Sequence, residues 1–438
     1  MYDFKKAEQK WQKEWEKRGI YRAADSSNKP KWYSLFEFPY PSGDGLHVGH
    51  LRPYIGMDVI SRKRRMQGFN VLFPIGWDAF GLPTENYAIK TGISPAVATR
   101  RNTTNFKRQI QSVGISLDWS REINTTDPAY YRWTQWMFIQ FFKHGLAYKA
   151  SVPINWCPIC KIGLANEEAI GGVCERCGGS VEKRNREQWM LKITAYADQL
   201  LEGLKELDFL PQIKLQQANW IGRSEGVEID FKVTRTTDTI TVFTTRPDTI
   251  MGATYLVLAP EHTAIENWKL KIENWTEVEQ YIERAKKKTE IERTAEGREK
   301  TGVPLAGVSA FHPITKEELP IWVSDYVIGG YGTGAIMAVP AHDERDREFA
   351  KKFNLKIADE MLLDGEEATV RVAGRKAVRY KLRDWVFSRQ RYWGEPIPMV
   401  FCPTCGWVPV NEDDLPVKLP PMKNYQPRDD GRSPLASA

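Results

Sequence analysis

The feature that most constrains the fold of this chain is a turn in which two histidines flank a glycine, at His47, Gly49 and His50. A strand-like run over residues 32–38 precedes the turn, and residues 51–66 have the pattern of a helix. Strand, tight turn and helix N-terminus together offer free backbone N–H groups and a positive dipole end to a phosphate. The histidines can donate hydrogen bonds to a developing phosphate charge, and glycine lets a flat ring approach the backbone. The alternative is an ordinary strand–turn–helix with incidental histidines.

A second buried strand is predicted over residues 71–75, with Asp78 close behind its carboxyl end. Doubly wound sheets bind their ligands at that end of the strands. The Asp78 carboxylate is therefore a candidate to hold the ammonium group of an amino acid. The alternative is a helix N-cap, a common role of Asp at a strand–helix junction.

Length and composition restrict the class of protein only loosely. A chain of 438 residues is long enough for two to four domains. A net charge of +6 is compatible with a nucleic-acid partner, but many basic proteins have none. We find no apolar run long enough for a membrane span, and acidic residues among the first 18 argue against a targeting peptide. The sequence therefore predicts a cytoplasmic protein.

All six cysteines occur in Cys-x-x-Cys pairs. In a cytoplasmic chain of this size, such pairs indicate metal binding rather than disulfides. Two of the pairs lie close enough in sequence to form one four-thiolate zinc site, namely Cys157, Cys160, Cys174 and Cys177. The remaining pair, Cys402 and Cys405, supplies two ligands where structural zinc takes four.

Alternating strands are predicted from residue 227 onward, and a run of threonines with Arg246 and Asp248 follows the second of them. Such a cluster can bind a sugar hydroxyl, a carbonyl or a water, although threonine-rich strands are common. Residues 330–335 fit the dinucleotide pattern G-x-G-x-x-A, but a strand rather than a helix is predicted to follow them. We therefore reject a dinucleotide site there.

These stretches resemble the leucyl-tRNA synthetases of bacterial type, a family of class I aminoacyl-tRNA synthetases. The resemblance rests on the Pro-Tyr-Pro-Ser-Gly lead-in at residues 39–43, the His-x-Gly-His signature, the Ile-Gly-Trp-Asp-Ala-Phe-Gly-Leu-Pro-Thr-Glu run at 75–85, and residues 380–394. It implies an α/β fold: an incomplete Rossmann-type catalytic domain with a zinc-ribbon insert and a β-rich editing (CP1) insert.

The resemblance also implies a domain order. The first half of the catalytic domain spans residues 1–150, the zinc insert 151–183, a connective segment with a hinge 184–226, the editing domain 227–375, and the return to the catalytic domain 376–438. We expect the editing domain to be shortened between residues 348 and 383.

Site roles follow from the same resemblance, residue by residue. His47, Gly49 and His50 would bind ATP, with the two histidines also catalytic. Phe38, Tyr40 and Asp78 would bind leucine. The resemblance implies that Thr244, Thr245 and Arg246 shape an editing pocket and that Thr249 sterically excludes leucine. Asp346 would hold the amino group of a misattached amino acid, with Asp343 nearby. Arg389 and Arg391 could contact tRNA or connect the domains.

The implied cofactors are ATP as substrate, Mg²⁺ and Zn²⁺, and the implied partners are leucine and tRNA(Leu). The second class I signature, a Lys-Met-Ser-Lys-Ser loop, is absent from this sequence. A separate C-terminal chain could supply it, or the sequence could be part of a longer product. The expected activity is leucine–tRNA ligation with hydrolytic editing.

Two alternatives remain open at this stage. The chain could act chiefly as an editing hydrolase in trans, through Thr244, Asp343 and Asp346. It could also be a non-catalytic tRNA-binding module, which the basic helix at residues 52–65 would suit.

Overall fold

The structure, a computed structural model, describes residues 2–164, 169, 172–175, 177–286, 288, 292–293, 299–330, 332–358, 362–428, 430 and 432–437. The chain divides into two compact units. The first unit joins residues 1–145 to residues 389–438, and the second comprises residues 146–388.

The first unit alternates helices with short strands. Its helices are α1 (Phe4–Arg18), α2 (Val48–Met66), α3 (Leu82–Thr91), α4 (Pro95–Val113) and α5 (Pro128–Lys143). Its strands up to residue 145 are β1 (Lys31–Tyr33), β2 (Asn70–Leu72), β3 (Gly76–Trp77) and β4 (Ile123–Asn124). β1 pairs parallel with β2, and β3 pairs parallel with β4. Parallel pairs connected through helices are typical of an α/β domain, which confirms the predicted fold class.

The strands are shorter than the sequence predicts, and Pro74 explains the break between β2 and β3. Proline has no N–H to donate to a ladder, so pairing stops at Leu72 and resumes with a different partner at Gly76. Phe73 and Ile75, on either side of the proline, are fully buried. They pack in one core cluster with Trp77 and with Phe106 of α4.

The sequence has a helical pattern from residue 102 to 147, but these residues do not form one continuous helix. α4 ends where Gly114 adopts a left-handed conformation (φ +77°), and α5 begins at the N-cap Asp127 followed by Pro128. The aromatic side chains of α5 are only partly in the core, because Tyr131 is buried whereas Trp133 is 58% exposed. Residues 188–204 also have a helical pattern in the sequence, but the first of them, up to Leu191, belong to a strand of the second unit.

The second unit is rich in strands. Its strands are β5 (Ala147–Cys157), β6 (Ile162–Leu164), β7 (Glu182–Leu191), β8 (Ser224–Lys232), β9 (Thr239–Thr244), β10 (Tyr255–Leu258), β11 (Gly302–Phe311), β12 (Glu318–Ser324), β13 (Ala335–Ala338), β14 (Arg375–Arg379) and β15 (Trp385–Val386). Its helices are α6 (Ala197–Glu206), α7 (Pro211–Ile221), α8 (Thr263–Asn267), α9 (Trp275–Lys286), α10 (Glu344–Lys352) and α11 (Gly365–Arg371).

The sheets of the second unit fall into two groups: one sheet near the cysteines, and two sheets in the rest of the unit. The strands around the cysteines form a sheet in the order β15-β7-β5-β6. The remaining strands form a four-stranded sheet, β11-β12-β10-β13, and a three-stranded sheet, β14-β8-β9. Residues of both these sheets share one hydrophobic core, for example Ile229 and Val242 with Leu256 and Ile321. In the segment 389–438 of the first unit, β16 (Met399–Cys402) and β17 (Gly406–Pro409) form an antiparallel hairpin.

Within the described ranges, none of the helices combines the length and the apolar character that a membrane span requires.

Candidate active sites and a candidate metal centre

The two histidines lie together at the entrance to α2. His47 is the N-cap residue, with an extended backbone, and its ring centroid lies 3.9 Å from that of His50. The His47 backbone N–H donates a hydrogen bond to Nδ1 of His50 at 3.3 Å. Because Nδ1 accepts this bond, the neutral His50 ring carries its proton on Nε2 and can donate it outward. Burial lowers the pKa of His50 and the charge of His47 lowers it further, which favours that neutral form.

Gly49 has a local reason to be glycine. A Cβ at this position would lie 2.9 Å from Nδ1 and Cε1 of the His47 ring, which is closer than real Cβ contacts. The flat ring that approaches this backbone is therefore the ring of His47 itself. A ligand ring, which the sequence analysis invoked, is not needed to explain the glycine.

The residues predicted to bind leucine lie around the end of β3. Asp78 directly follows Trp77, and its backbone N–H donates to the carbonyl of Pro39 at 3.3 Å, which joins the strand end to the turn before α2. The N-cap of α3 is Gly81, so Asp78 does not cap that helix. Burial raises the pKa of the Asp78 carboxyl. A half-buried carboxylate at the carboxyl end of a parallel strand is suited to bind a cation.

The two aromatic residues of this group differ in their surroundings. The Phe38 ring packs directly against Gly76, where any Cβ would overlap the ring, so the glycine makes room for it. Tyr40 is mostly exposed. Phe38 is therefore fixed beside β3, whereas Tyr40 has space around it for a ligand.

The segment that returns to the first unit places further residues beside Asp78, which the sequence analysis missed. Trp393 Nε1 donates to the carbonyl of Ala79 at 2.7 Å, and the Gly81 N–H donates to the carbonyl of Trp393 at 2.9 Å. Burial raises the pKa of Glu395, and the charge of Asp78 raises it further. No local pattern marks these contacts, because the partners are more than 300 residues apart in sequence.

Arg391 has a different role from the tRNA contact considered for it. Its guanidinium pairs with Glu85 of α3 (Nε to Oε1, 2.9 Å), and both side chains are almost completely buried. The same carboxylate accepts a hydrogen bond from the backbone N–H of Trp393 at 2.7 Å. Arg391 therefore connects two segments of the first unit, and its charge is not available to an external phosphate.

Three of the four arginines of the basic helix α2 likewise make internal contacts. Arg62 pairs with Asp58 at 2.8 Å, and Arg65 donates to Ser116 Oγ at 2.7 Å. Arg64 lies over the Trp32 ring, 4.0 Å from its centroid. These contacts weaken the case for this helix as a tRNA-binding surface, although Arg52 and Lys63 of the same helix are exposed.

The threonine-rich stretch follows β9 in the second unit, as predicted. Thr244 ends the strand, and Thr245 and Arg246 lead into a short 3₁₀ helix at Pro247–Gly252. Arg246 pairs with Asp248 at 2.7 Å. The buried Thr249 hydroxyl donates to the Arg246 carbonyl at 2.8 Å, which fixes the turn.

Asp343 and Asp346 lie at the start of α10 and have different surroundings. Asp343 is the N-cap; its carboxylate accepts from the N–H of Arg345 at 2.9 Å and of Asp346 at 3.2 Å. Burial raises the pKa of Asp343. The pairing with Arg345 and the hydrogen bonds from these N–H groups outweigh burial, so the pKa is lowered overall. Asp343 thus has a structural role that the sequence analysis did not assign to it.

Asp346 is almost completely buried. Its carboxylate accepts from the Val339 N–H at 2.9 Å and from the Tyr326 hydroxyl at 3.1 Å. Burial, followed by the charge of Asp343, raises the pKa of Asp346 to about 7. A buried carboxylate that ionises near neutral pH can form a strong ion pair with an ammonium group.

The 3₁₀ turn and the start of α10 are close together. A Cβ on Gly252 would lie 3.5 Å from Cδ2 of His342, and the charge of His342 contributes to lowering the pKa of Asp248, after the larger effect of Arg246. The two stretches assigned to an editing pocket therefore belong to one region of the second unit.

The four cysteines predicted to bind metal converge. The sulfur atoms of Cys157, Cys160, Cys174 and Cys177 all lie within 4.8 Å of one another. Cys157 Sγ is 3.5 Å from Cys177 Sγ, and Cys160 Sγ is 4.0 Å from Cys174 Sγ. Zinc–sulfur bonds of about 2.3 Å in a tetrahedron place sulfurs about 3.8 Å apart, so this cluster fits a metal ion.

Cys402 and Cys405 repeat half of this arrangement. The Cys405 N–H donates to Cys402 Sγ at 3.4 Å, as the Cys160 N–H does to Cys157 Sγ at 3.3 Å. In both turns the next residue, Gly406 or Lys161, has a positive φ. Among the described residues, the first four cysteines form the one group of three or more potential metal ligands, and this second pair has no such group around it.

Comparison with known proteins shows which protein families this chain resembles. Residues 10–226 match the model of the family "tRNA synthetases class I (I, L, M and V)", and residues 218–380 match that of "Leucyl-tRNA synthetase, editing domain". The leucine–tRNA ligase of Alkaliphilus oremlandii is 53% identical over all of this chain and 58% of its own length. That of Elusimicrobium minutum is 51% identical over 99% of this chain and 56% of its own length.

A solved structure agrees with this result. The LeuRS of Agrobacterium radiobacter K84, in a ternary complex with tRNA and LeuAMS, superimposes with a TM-score of 0.85 and 36% identity. It covers 98% of this chain, which spans 55% of that protein. The chain thus spans less than three fifths of the length of each of these two curated relatives. Its alignment to the first of them runs over 469 positions, so that relative carries additional residues inside the aligned region.

We predict that Asp346→Asn stabilises the chain at high pH. The folded-state pKa of about 7 lies above the ordinary value near 3.9, so the folded state retains its proton longer than the unfolded state. The free energy of unfolding therefore falls as pH rises from about 4 to about 7, and the loss is complete above that range. The amide removes this loss, with each kcal/mol recovered raising Tm by ~2–4 °C for a unit of this size.

The measurement is thermal unfolding of both proteins at pH 5 and pH 8.5. The exposed N-cap residue Asp364 provides a control, because Asp364→Asn preserves the cap and leaves Asp346 unchanged. An advantage of Asp346→Asn that is equal at both pH values would contradict the prediction.

Proposed function

The chain belongs to the leucyl-tRNA synthetase family of the class I aminoacyl-tRNA synthetases, and on that basis we propose that it carries the leucine- and ATP-binding part of a leucine–tRNA ligase. The supporting observation is twofold: the His47–His50 pair lies at the N-terminus of α2, and the Asp78 backbone, at the end of β3, is hydrogen-bonded to Pro39 in the turn that leads to this pair. One connected turn would thus carry a phosphate site and lead to an ammonium site, and leucine activation needs both.

The proposed first step joins leucine to ATP. A leucine carboxylate oxygen forms a bond to the α-phosphorus, the bond to the bridging oxygen breaks, and pyrophosphate leaves with that electron pair. Catalysis needs alignment and charge stabilisation here, because no covalent enzyme intermediate forms. The Nε2–H of His50, the His47 ring and the free N–H groups of α2 would face the developing negative charge. Mg²⁺ accompanying ATP would neutralise charge on the phosphates.

Substrate placement would fall to the residues around β3. Asp78 would bind the leucine ammonium, with the Phe38 ring and Tyr40 along the side chain. The raised pKa of Asp78 agrees with a carboxylate that lacks a nearby cation and would gain one with the substrate.

The second step transfers leucine to the 3′ end of tRNA(Leu). Because the curated relatives extend well beyond the region that this chain matches, we propose that the complete reaction uses the further segment that they carry. That segment, on a separate chain or as a continuation of this one, would supply the lysine loop that this sequence lacks.

A second activity, hydrolytic editing, is favoured by the buried carboxylate of Asp346. Water would form a bond to the ester carbonyl carbon of a misacylated tRNA, the ester bond to the terminal ribose would break, and the ribose hydroxyl would take up a proton. Asp346 would bind the amino group, and Thr244, Thr245 and Arg246 would surround the ester. Thr249 would exclude leucine by size, which is needed because one methylene gives only ~1–3 kcal/mol of discrimination.

The metal that we propose for the four-cysteine cluster is structural zinc. Four thiolates fill a tetrahedral coordination sphere, so this site would stabilise the short β5–β6–β7 region and take no part in the reaction.

His50→Ala should lower leucine-dependent ATP–pyrophosphate exchange by at least about a hundredfold, because it removes a donor to the transition-state charge. Exchange is measured with the 438-residue chain alone and with the C-terminal segment of the Alkaliphilus oremlandii relative added. Val59→Ala, on the exposed side of the same helix, is the control and should leave exchange unchanged. Exchange that survives in His50→Ala would contradict the role of this histidine, and no exchange by wild type under either condition would contradict the proposed activity.

Asp346→Asn should abolish deacylation of isoleucyl-tRNA(Leu), because a neutral amide cannot pair with the ammonium group. In the wild type we expect deacylation to increase as pH rises through about 7, as the carboxyl ionises. Release of isoleucine is followed between pH 5.5 and 8.5, with Asp364→Asn again as the control. A rate that is independent of both pH and substitution would contradict editing by this site.

Cys174→Ser should remove the bound zinc, since Cys174 is one of four ligands and is almost completely buried. Elemental analysis of purified protein gives the metal content per chain. Cys402→Ser is the control, because its pair lies outside the four-cysteine cluster, and it should retain the zinc of that cluster. Equal zinc contents in wild type and Cys174→Ser would show that the cluster does not bind it.

A further inference from the structure

The turn that carries the two histidines is held from outside by one helix. Residues 39–47 contain no strand or helix of their own. Side chains of α4 reach the backbone of this turn at successive points. Asn102 Nδ2 donates to the Pro41 carbonyl at 2.9 Å, and Asn105 Nδ2 donates to the Asp44 carbonyl.

The contact nearest the histidines is made by Gln109. Its Oε1 accepts a hydrogen bond from the backbone N–H of Leu46 at 2.8 Å, one residue before the N-cap His47. A Cβ on Gly45 would lie 2.9 Å from Gln109 Nε2, so glycine lets the amide reach the backbone. The three amides are spaced by three and four residues, which places them on one face of the helix.

α4 is itself anchored beside the ammonium site. Phe106 and Ile110 of α4 are buried in the same cluster as Ile75 and Trp77, and the rings of Phe106 and Trp77 lie 6.4 Å apart between centroids. Trp77 directly precedes Asp78 on β3. One rigid helix thus contacts both the strand that carries Asp78 and the turn that carries His47.

We propose, on the basis of the function proposed above, that Asn105 and Gln109 are positioning residues for leucine activation. They set the distance between the two histidines, which face the α-phosphate, and Asp78, which faces the leucine ammonium. An in-line attack depends strongly on such distances, since small misplacements lower rates by about ten- to a hundredfold. These side chains act through the backbone of the turn and do not touch the substrates.

The chemistry of each contact gives opposite expectations for two similar substitutions. Gln109 uses its oxygen as an acceptor, so Gln109→Glu retains the bond to Leu46 whereas Gln109→Leu loses it. Asn105 uses its nitrogen as a donor, so Asn105→Asp loses the bond and places a carboxylate against a carbonyl. If the polar side chains of α4 did not hold the turn through these specific hydrogen bonds, Gln109→Glu and Asn105→Asp would have similar effects.

The experiment measures ATP–pyrophosphate exchange for these three variants under the condition in which wild type is active. We expect Gln109→Leu and Asn105→Asp to lower kcat about tenfold or more, with the KM for leucine changed less than about twofold. Gln109→Glu should remain close to wild type. Gln111→Leu makes the same chemical change two residues along α4 and serves as the control.

Hydrogen exchange of the backbone amides provides a readout that needs no activity. In Gln109→Leu, the peptide covering residues 41–47 should exchange about tenfold faster, while the peptide covering residues 106–113 is unchanged. Equal exchange in that turn for Gln109→Leu and wild type would overturn the proposal. Faster hydrogen exchange in the turn of Gln109→Leu with an unchanged kcat would also overturn the proposal, because loosening the turn would then have no effect on the reaction. If wild type shows no ATP–pyrophosphate exchange, that result would instead contradict the proposed function. The hydrogen-exchange measurement would then decide whether α4 holds the turn.

Discussion

The first unit depends on the buried ion pair between Glu85 and Arg391. These residues come from the two separate segments that form the unit, and the carboxylate also holds the backbone of Trp393. Removing one partner of a buried pair costs about 3–5 kcal/mol, because the other charge remains in a medium that solvates it poorly. The hydrogen bonds of Trp393 with Ala79 and Gly81, close to Asp78 in sequence, belong to the same junction. The candidate leucine site therefore relies on a pair that touches none of the substrates.

The two carboxylates that we propose to bind an amino group lie in different surroundings. Asp78 is half-buried at the end of a parallel strand, whereas Asp346 is enclosed between a β-strand end and two tyrosines. Burial raises the pKa of both, yet only that of Asp346 rises to about 7. The proposed aminoacylation site and the proposed editing site would thus respond differently to pH, although the same functional group is proposed to bind at both.

The sequence was sufficient for the family, the α/β class, the β-rich second unit and the convergence of four cysteines. Local sequence patterns predict these features: a signature of four residues, alternating strands, and Cys-x-x-Cys spacing. The features that it did not reveal depend on partners far away in sequence. Arg391 resembles a surface arginine until Glu85 is placed beside it, and Arg64 and Arg65 of α2 resemble a basic surface until Trp32 and Ser116 are placed beside them. The length of the second strand was overestimated because hydrophobicity continues through Pro74, whereas the pairing with β1 ends at Leu72.

The discontinuity of the first unit has a consequence for the order in which the chain can fold during synthesis. Residues 146–388 form a continuous segment, so the second unit can complete its core as soon as that segment has left the ribosome. The Glu85 carboxylate, in contrast, must wait for the Trp393 amide, 308 residues later. At about 5–20 residues per second this delay is roughly 15–60 s, during which β1–β4 and their helices lack the segment that closes them. The inserted unit would then be the first part of the molecule to become native, and the unit that holds the His47–His50 pair the last.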